Sequence, residues 1–375
     1  MDAHRGLIMV LMAIDHASYF VARVHSREMW GAALPVYPDA FWFWTRSITH
    51  PCATGFFFLM GISMSLFARS RREAGWGECR ITWFFIKRGF LLILLQLLLE
   101  NSAWALGDLS VIPGAEIVRG GPMPGGGSQG IIYLGVLFAL GGSVVIWAFM
   151  RRAPAWAISI VSLAAIALTQ ATTPNADHAA VLYPPIARAF LIPGHTDAWV
   201  VLYPILPWIG VTGLGLIFAR LLEKGNPLAG RIAGLAAFAL LVSFVVIRTA
   251  GSFGNLGEVP SGWMGFFNVI KYPPSLAFLT ITLAFNLVLV VFWRRAEKWL
   301  QSPRNPLLVF GRTALFFYVV HLWIYAILGL FLRAGCGLGT MYLFWLIGLF
   351  ILYPLCRYYN RFKSAKPAES VWRFL

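Results

Sequence analysis

The sequence predicts an all-α fold, a polytopic integral membrane bundle of about ten transmembrane helices with both termini in the cytoplasm. Of the 375 residues, 59% are apolar and only 12% are charged, and the mean hydropathy is +0.73. Soluble domains carry about a quarter charged residues. The apolar residues form long runs, and most basic residues lie in alternate connections between these runs. These observations exclude a soluble α/β enzyme, a disordered chain and a collagen-like chain.

Runs of about 20 apolar residues are long enough to cross a bilayer as helices. We predict ten such segments, at residues 5–24, 48–68, 82–104, 130–150, 153–172, 199–219, 231–249, 275–293, 313–333 and 338–357. The first does not resemble a cleavable signal peptide, because it is long, carries Asp15 and His16 in its middle and lacks a small-residue cleavage site. A bundle of spans forms one unit, so residues 1–375 are predicted to be a single domain with a short cytoplasmic tail at about 358–375.

The distribution of basic residues predicts the orientation of these segments. Of the 30 Lys and Arg residues, 22 lie in one set of alternating loops and 8 in the other. Cytoplasmic loops carry the excess of Lys and Arg. With 6 acidic residues inside and 9 outside, the formal charge is +16 on the cytoplasmic face and −1 on the outer face. The net charge of +15 therefore reflects topology and contact with anionic membrane lipids, and it does not indicate a nucleic-acid partner.

The cysteines and histidines give no sign of a disulfide framework or a metal centre. Cys52, Cys79, Cys336 and Cys356 show no close pairing, and no His, Cys and carboxylate set has metal-ligand spacing. We therefore expect no metal and no permanently bound cofactor.

Ionisable residues at bilayer depth are costly and mark functional sites. Asp15 and His16 lie in the middle of the first segment, His321 lies near the middle of the ninth, and His50 lies near the outer end of the second. Arg5 and His16 are eleven residues apart, which places them within about 20° of one helical face and about 16 Å apart along the axis. An imidazole is suited to proton abstraction near neutral pH.

The catalytic candidates are therefore His16, Asp15 and His50, together with His25, which follows the first segment in an outer loop. Each has a plainer alternative. Asp15 and His16 can form a buried polar pair that joins helices, and Asp15 can instead pair with Arg46 or His50. His321 can be a packing residue, and His25 a solvated loop residue.

Two proline-containing segments indicate an outward-facing cavity. Tyr203-Pro-Ile-Leu-Pro-Trp208 lies in the outer part of the sixth span, and Lys271-Tyr-Pro-Pro-Ser275 opens the eighth. Proline frees backbone carbonyls, which membrane proteins tolerate where protein or a wet cavity satisfies them. Simple helix kinks are the alternative. We assign substrate binding to Arg46, Lys271, Tyr272, Trp208 and His321, with an interface anchor as the alternative for Lys271.

Several motifs together resemble bacterial relatives of heparan-α-glucosaminide N-acetyltransferase. The motifs are Arg5-Gly-Leu-Ile-Met-Val-Leu-Met-Ala-Ile-Asp-His16, Thr45-Arg-Ser-Ile-Thr-His-Pro-Cys52, Phe56-Phe-Phe-Leu-Met-Gly61, Tyr203-Pro-Ile-Leu-Pro-Trp-Ile-Gly210, Lys271-Tyr-Pro-Pro-Ser275 and Val309-Phe-Gly-Arg-Thr-Ala-Leu-Phe-Phe-Tyr-Val-Val-His321. The resemblance spans nearly the whole chain. The wider superfamily of transmembrane acyltransferases also carries an Arg, ten residues and then a His in its first helix.

This resemblance implies an acyltransferase of the bacterial cytoplasmic membrane that moves an acetyl group from cytosolic acyl-CoA to a sugar or glycan acceptor outside. Acetyl-CoA would be a co-substrate that enters from the basic face and reaches His16 with its thioester. Its phosphates would meet Arg5, Lys87, Arg88 and Arg312. A homodimer is left open.

The chain departs from the family at the active-site histidine. Human-type enzymes place that histidine just beyond the first helix, where this chain reads His25-Ser-Arg-Glu-Met-Trp30-Gly31, and they carry Asn where this chain has Asp15-His16. His16 and His25 therefore compete for the catalytic role. The alternative functions are a proton-coupled transporter that uses Asp15, His16 and His321, and a non-catalytic scaffold.

Overall fold

The computed structural model describes residues 1–26, 28–109, 132–173, 183–195, 199–223, 228–296, 302–367 and 370–373. The helices are α1 (Asp2–Ala17), α2 (Ala40–Ser47), α3 (Pro51–Glu73), α4 (Glu78–Leu95), α5 (Asn101–Leu109), α6 (Val136–Met150), α7 (Ala155–Thr172), α8 (Pro185–Arg188), α9 (Ile205–Glu223), α10 (Ala229–Ala250), α11 (Gly262–Phe267), α12 (Leu276–Arg295), α13 (Pro306–Arg312), α14 (Ala314–Gly329) and α15 (Leu338–Ser364). Short π-helical turns follow α1 (Ser18–Ala22) and α4 (Gln96–Glu100), and a 3₁₀ turn (Val371–Arg373) lies near the end of the chain.

The predicted fold class, a helical membrane bundle, is confirmed. Within the described ranges, eight helical stretches are long and apolar enough to cross a membrane. The pair α13 and α14 makes a ninth span if it is counted as one, although it bends by 99° at the break. The helix α6 is apolar but has only 15 residues. Each of the ten predicted segments overlaps one of these helices, but the fourth and sixth include short strands (Ile132–Leu134 and Trp199–Val201) where helix was predicted. The number of crossings and their orientation stay predictions.

The second predicted segment begins earlier than expected. The helix starts at Ala40 rather than near residue 48, because the Asp39 carboxylate accepts hydrogen bonds from the Phe41 and Trp42 amides and caps it. The additional helix, α2, includes Arg46, whose side chain is buried.

A small sheet adds the only strands among the described residues. Strand β1 (Ile132–Leu134) pairs in parallel with β3 (Trp199–Val201), and β2 (Gly194–His195) pairs with β3 in antiparallel fashion. The Leu202 amide donates to the Leu134 carbonyl at 3.2 Å. The sheet thereby fixes Tyr133 and the segment that leads into the proline motif of α9 beside the cavity described below.

Glycine permits a close approach of α1 to α13. A Cβ atom at Gly6 would lie 1.9 Å from the Leu307 carbonyl oxygen, and one at Gly311 would lie 1.8 Å from the Asp2 carbonyl oxygen. Small residues allow this kind of backbone contact between membrane helices. The contact brings Arg5 and Arg312 to the same end of the bundle.

Candidate active site

A small cavity of about 50 Å³ gathers most of the polar residues predicted for catalysis and substrate binding. Five of the predicted residues line it, namely Asp15, His16, His25, Lys271 and Tyr272. Trp104, Tyr133, Tyr203 and Tyr318 supply much of its aromatic wall. We call it the outer cavity, because the two proline-containing segments predicted to border an outward-facing cavity contribute Tyr203, Lys271 and Tyr272 to its lining.

His16 and His321 form a hydrogen-bonded pair of imidazoles. Nδ1 of His16 lies 2.6 Å from Nε2 of His321, and Nδ1 of His321 lies 2.5 Å from the Tyr318 carbonyl oxygen. A carbonyl only accepts, so Nδ1 of His321 carries a proton. With both rings neutral, Nε2 of His321 accepts the proton of His16 Nδ1, and Nε2 of His16 keeps its lone pair. Among the described residues, none hydrogen-bonds that nitrogen.

A chain of alternating charges holds the outer loop to α1 and α2. Arg46 donates to both oxygens of Glu28, at 2.8 Å from Nε and 2.6 Å from Nη2, and its Nη1 donates to Asp15. Bidentate pairs of this kind are strong and directional. His25 Nδ1 lies 3.6 Å from Asp15 Oδ1, and His50 Nε2 lies 3.4 Å from Glu28 Oε1. The order is therefore His25, Asp15, Arg46, Glu28 and His50.

Glu28 lies between Arg46 and His50 in this chain and remains ionised. Burial alone would raise the pKa of its carboxyl, but the charge of Arg46, its two hydrogen bonds and the proximity of His50 bring that pKa well below its ordinary value. The Glu28 carbonyl also accepts from the Lys271 amide at 2.9 Å and from the Tyr272 amide at 3.1 Å. The loop after α1 thereby fixes the second proline motif.

Lys271 supplies a buried cation to the outer cavity. Its side chain is buried, and Nζ lies 5.1 Å from the centre of the Tyr272 ring. None of the ion pairs among the described residues involves Lys271. Its charge is therefore free to interact with a substrate oxygen.

A second cavity of about 380 Å³, which we call the inner cavity, lies at the basic end of the bundle. Its cations are Arg5, Arg88, Arg312, Lys363 and Arg373, and much of the rest of its lining is apolar. Three of the four residues predicted to bind the donor phosphates therefore lie together. Arg5 donates to Asp2 at 2.8 Å and to Ser63 at 2.5 Å.

The structure does not bring Lys87 into the inner cavity. Its side chain is exposed, with Nζ 5.8 Å from the centre of the Trp83 ring. Adjacent helical residues point about 100° apart, so Lys87 and Arg88 cannot both face inward.

Four other predicted residues lie behind the outer cavity rather than in its lining. Arg46 and His50 belong to the charge chain, and His321 supports His16. Trp208 is fully buried and stacks on Phe57, with ring centres 4.5 Å apart. Its position is that of a packing residue.

Sequence reasoning missed three parts of these cavities. Glu28 lies in a predicted loop and was assigned no role, although a carboxylate close to His25 in sequence could have indicated a functional residue. Glu100 is an ionisable residue that the sequence places near the outer end of the third segment, but it was assigned no role. It lines the outer cavity, and its buried Oε2 has no hydrogen-bond partner among the described residues. Lys363 and Arg373 reach the inner cavity from the C-terminal segment, which was predicted to be a plain cytoplasmic tail.

The two cavities and the fold define a polytopic helical membrane protein with histidine and carboxylate side chains in one cavity and a cluster of cations in the other. A family model described as heparan-alpha-glucosaminide N-acetyltransferase, catalytic, matches residues 1–243. The chain therefore belongs to this family, and the resemblance inferred from its motifs is confirmed. Family membership supports a transmembrane acetyltransferase in general terms. No curated protein matches the chain.

The family match includes only part of the site. Asp15, His16 and Glu28 lie within residues 1–243, whereas Lys271 and His321 lie beyond them. Within the described residues no group of three or more His, Cys, Asp or Glu side chains could hold a metal ion.

Proposed function

We propose that this protein transfers an acetyl group from cytosolic acetyl-CoA to a hydroxyl or amine of a sugar or glycan on the extracytoplasmic side, with His16 as general base. The observation that carries the proposal is the position of His16. It lines the outer cavity, and its Nε2 is left available by the bond to His321.

The inner cavity fits the donor by charge and by length. Arg88, Lys363 and Arg373 offer cations to the nucleotide phosphates, and Arg5 and Arg312 flank them. Along α1 the eleven residues from Arg5 to His16 rise about 16 Å. An extended pantetheine arm covers a distance of this order, so phosphates held near Arg5 place the thioester near His16.

The reaction then needs one proton acceptor and one cation at the thioester. Nε2 of His16 takes the proton of the acceptor O–H or N–H, and the freed oxygen or nitrogen attacks the thioester carbonyl. Lys271 stabilises the charge that develops on the carbonyl oxygen. The C–S bond breaks, and the proton on His16 Nε2 passes to the sulfur, which leaves as the thiol of CoA. The acetyl group remains on the acceptor.

His321 and Asp15 act as positioning residues in this proposal. His321 fixes the tautomer of His16 through the 2.6 Å contact. Asp15 is bonded to Arg46 and faces His25, so it holds the loop rather than the base. His25 lines the same cavity and is the second candidate for the base.

Purified protein in nanodiscs, supplied with radiolabelled acetyl-CoA and amino-sugar or glycan acceptors, tests this assignment. His16→Ala is expected to abolish transfer while acetyl-CoA binding remains. If His25→Ala abolishes transfer and His16→Ala retains it, His25 is the base. If the wild-type protein binds acetyl-CoA but transfers no acetyl group to any acceptor or to water, the proposed function is wrong.

A proton-coupled transporter is the second candidate, favoured by two cavities that approach each other in the middle of the bundle. Asp15, His16 and His321 would relay the proton. Uptake of a solute into liposomes that depends on a pH gradient and not on acyl-CoA would support it.

A further inference from the structure

Two aromatic side chains border both cavities. Phe56 on α3 and Tyr318 on α14 line the inner cavity and also the outer one, and no other described residue does so. Their ring centres lie 6.3 Å apart, with the ring planes at 86°. The two rings therefore stand edge to face between the spaces.

The chemistry proposed above requires passage at this point. The cations that would hold the donor phosphates line the inner cavity, whereas His16 and Lys271 line the outer cavity. The direct path of a thioester from the inner cavity to His16 therefore passes the aromatic pair, because among the described residues these two side chains line both spaces.

The two rings are not held equally. Tyr318 is 5% exposed, and its backbone carbonyl accepts the proton of His321 Nδ1 at 2.5 Å. Its ring also packs against the His321 ring, with the ring centres 5.6 Å apart. Phe56 is only partly buried and has no polar atoms to anchor its ring. Phe56 is therefore the ring that can turn aside.

We propose that Phe56 and Tyr318 form an acyl port, in which Tyr318 is the fixed side and Phe56 the side that yields to the acetyl thioester. The port rests on the proposed function. When closed, it keeps water and acceptor in the outer cavity away from the donor. Without it, water replaces the acceptor, and acetyl-CoA and water give acetate and the free thiol of CoA.

The native residue Cys52 can report whether this port is open. Cys52 lines the outer cavity and is 5% exposed, and Ser63 lines the inner cavity. In a background with serine at positions 79, 336 and 356, Cys52 is the only thiol. A small, positively charged methanethiosulfonate is added to sealed vesicles, from the face that carries Arg5, and the rate of labelling is measured by mass spectrometry.

We expect Cys52 to be labelled from that face at least about tenfold faster in Phe56→Ala than with Phe56 intact, because the side chain that closes the space has been removed. Phe56→Trp is expected to label no faster than the parent. Ser63→Cys, placed in a Cys52→Ser background, is the matched control, and its labelling from the same face is expected to be equal with Phe56, Ala or Trp at position 56. Phe56→Leu, which changes the side-chain volume less, replaces Phe56→Ala if that variant does not fold. Its rate of Cys52 labelling is expected to lie between those of the parent and Phe56→Ala.

The labelling experiment does not depend on acetyl transfer. If the wild type transfers no acetyl group but the smaller residue opens Cys52 to the reagent, the two rings do close the passage between the cavities, and the proposed function fails. The port is refuted by a different set of results. In that case the wild type transfers acetyl and Ser63→Cys reacts with the reagent, but Cys52 is labelled at the parental rate in both Phe56→Ala and Phe56→Leu. Acetyl-CoA hydrolysis without acceptor is expected to rise in Phe56→Ala, and an unchanged ratio of hydrolysis to transfer also overturns the port.

Discussion

Replacing Arg88 is expected to weaken acetyl-CoA binding far more than replacing its neighbour Lys87. Arg88 lines the inner cavity, and among the described residues it has no ion-pair or hydrogen-bond partner. Lys87 is one residue away but exposed on another side of α4. The two substitutions remove the same charge from adjacent positions, so they separate contact with the donor from the general charge of the cytoplasmic face.

The size of the effect follows from what each cation already binds. Arg5 shares its charge with Asp2 at 2.8 Å, and Arg312 lies 3.5 Å from the same carboxylate. Arg88 has no such partner and is repelled by Arg5, so an anion recovers the full interaction. A hydrogen bond to a charged group contributes about 1.5–3 kcal/mol, which corresponds to about 10- to 100-fold in affinity. Lys87→Ala is expected to change affinity by less than about twofold, since exposed charges are screened by salt.

Equilibrium binding of radiolabelled acetyl-CoA to nanodisc-reconstituted protein measures both effects. S-acetylpantetheine, which lacks the nucleotide phosphates, is the second ligand, and its affinity is expected to be equal in Arg88→Ala and the wild type. If Arg88→Ala binds acetyl-CoA within twofold of wild type, or if Lys87→Ala weakens binding as much, the inner cavity is not the phosphate site.

Three further predictions concern the support of the site. His321→Leu is expected to lower kcat at least about tenfold, and His321→Gln is expected to lower it less, because the glutamine amide oxygen can accept the hydrogen bond from His16 Nδ1. KM for acetyl-CoA is expected to be unchanged in both variants. Equal losses of kcat in the two variants would refute the role of His321 in fixing the tautomer of His16. Glu28→Gln is expected to lower stability by about 3 kcal/mol, whereas Glu73→Gln in the exposed pair with Arg69 costs less than about 1 kcal/mol, both measured by thermal unfolding. The pKa of Glu28 is lower in the folded protein than in the unfolded chain, so ionised Glu28 stabilises the fold fully at pH values above its ordinary pKa. This stabilisation is lost as the pH falls through the lower pKa of the folded protein. Glu28→Gln is therefore expected to reduce the loss of stability in acid. Gly311→Ala is expected to destabilise the protein by about 1–3 kcal/mol through its contact with the Asp2 carbonyl, and Gly339→Ala, in open space, is the control that should leave the melting temperature unchanged.

The helices could be predicted from sequence because the apolar runs that a bilayer selects are long and uninterrupted. All ten predicted segments overlap helices. The largest error at a boundary came from Asp39, whose capping bonds start α2 earlier than predicted, and the starts of the fourth and sixth segments form short strands rather than helix. The bend between α13 and α14 was not predicted. Thr313, at the junction, carries no breaker signal such as proline.

The partners within the site were less predictable. The pairing of Asp15 with Arg46 was one of two alternatives that sequence left open, and the structure selects it. The contact between His16 and His321 joins residues that are 305 positions apart, and only the packing of α1 against α14 brings them together. Lys87 and Arg88 were indistinguishable in sequence because the phase of α4 relative to its neighbours depends on tertiary structure.

The charge balance of the site explains why so many ionisable groups persist inside an apolar bundle. Asp15 and Glu28 carry two negative charges, and Arg46 and Lys271 carry two positive ones. Buried charges are tolerated when they are paired and hydrogen-bonded. Arg46 neutralises most of the two carboxylates alone, because its three donor nitrogens contact both of them. Lys271 lines the outer cavity and has no ion-pair partner among the described residues, so an oxygen that becomes negative during reaction is the interaction that complements its charge.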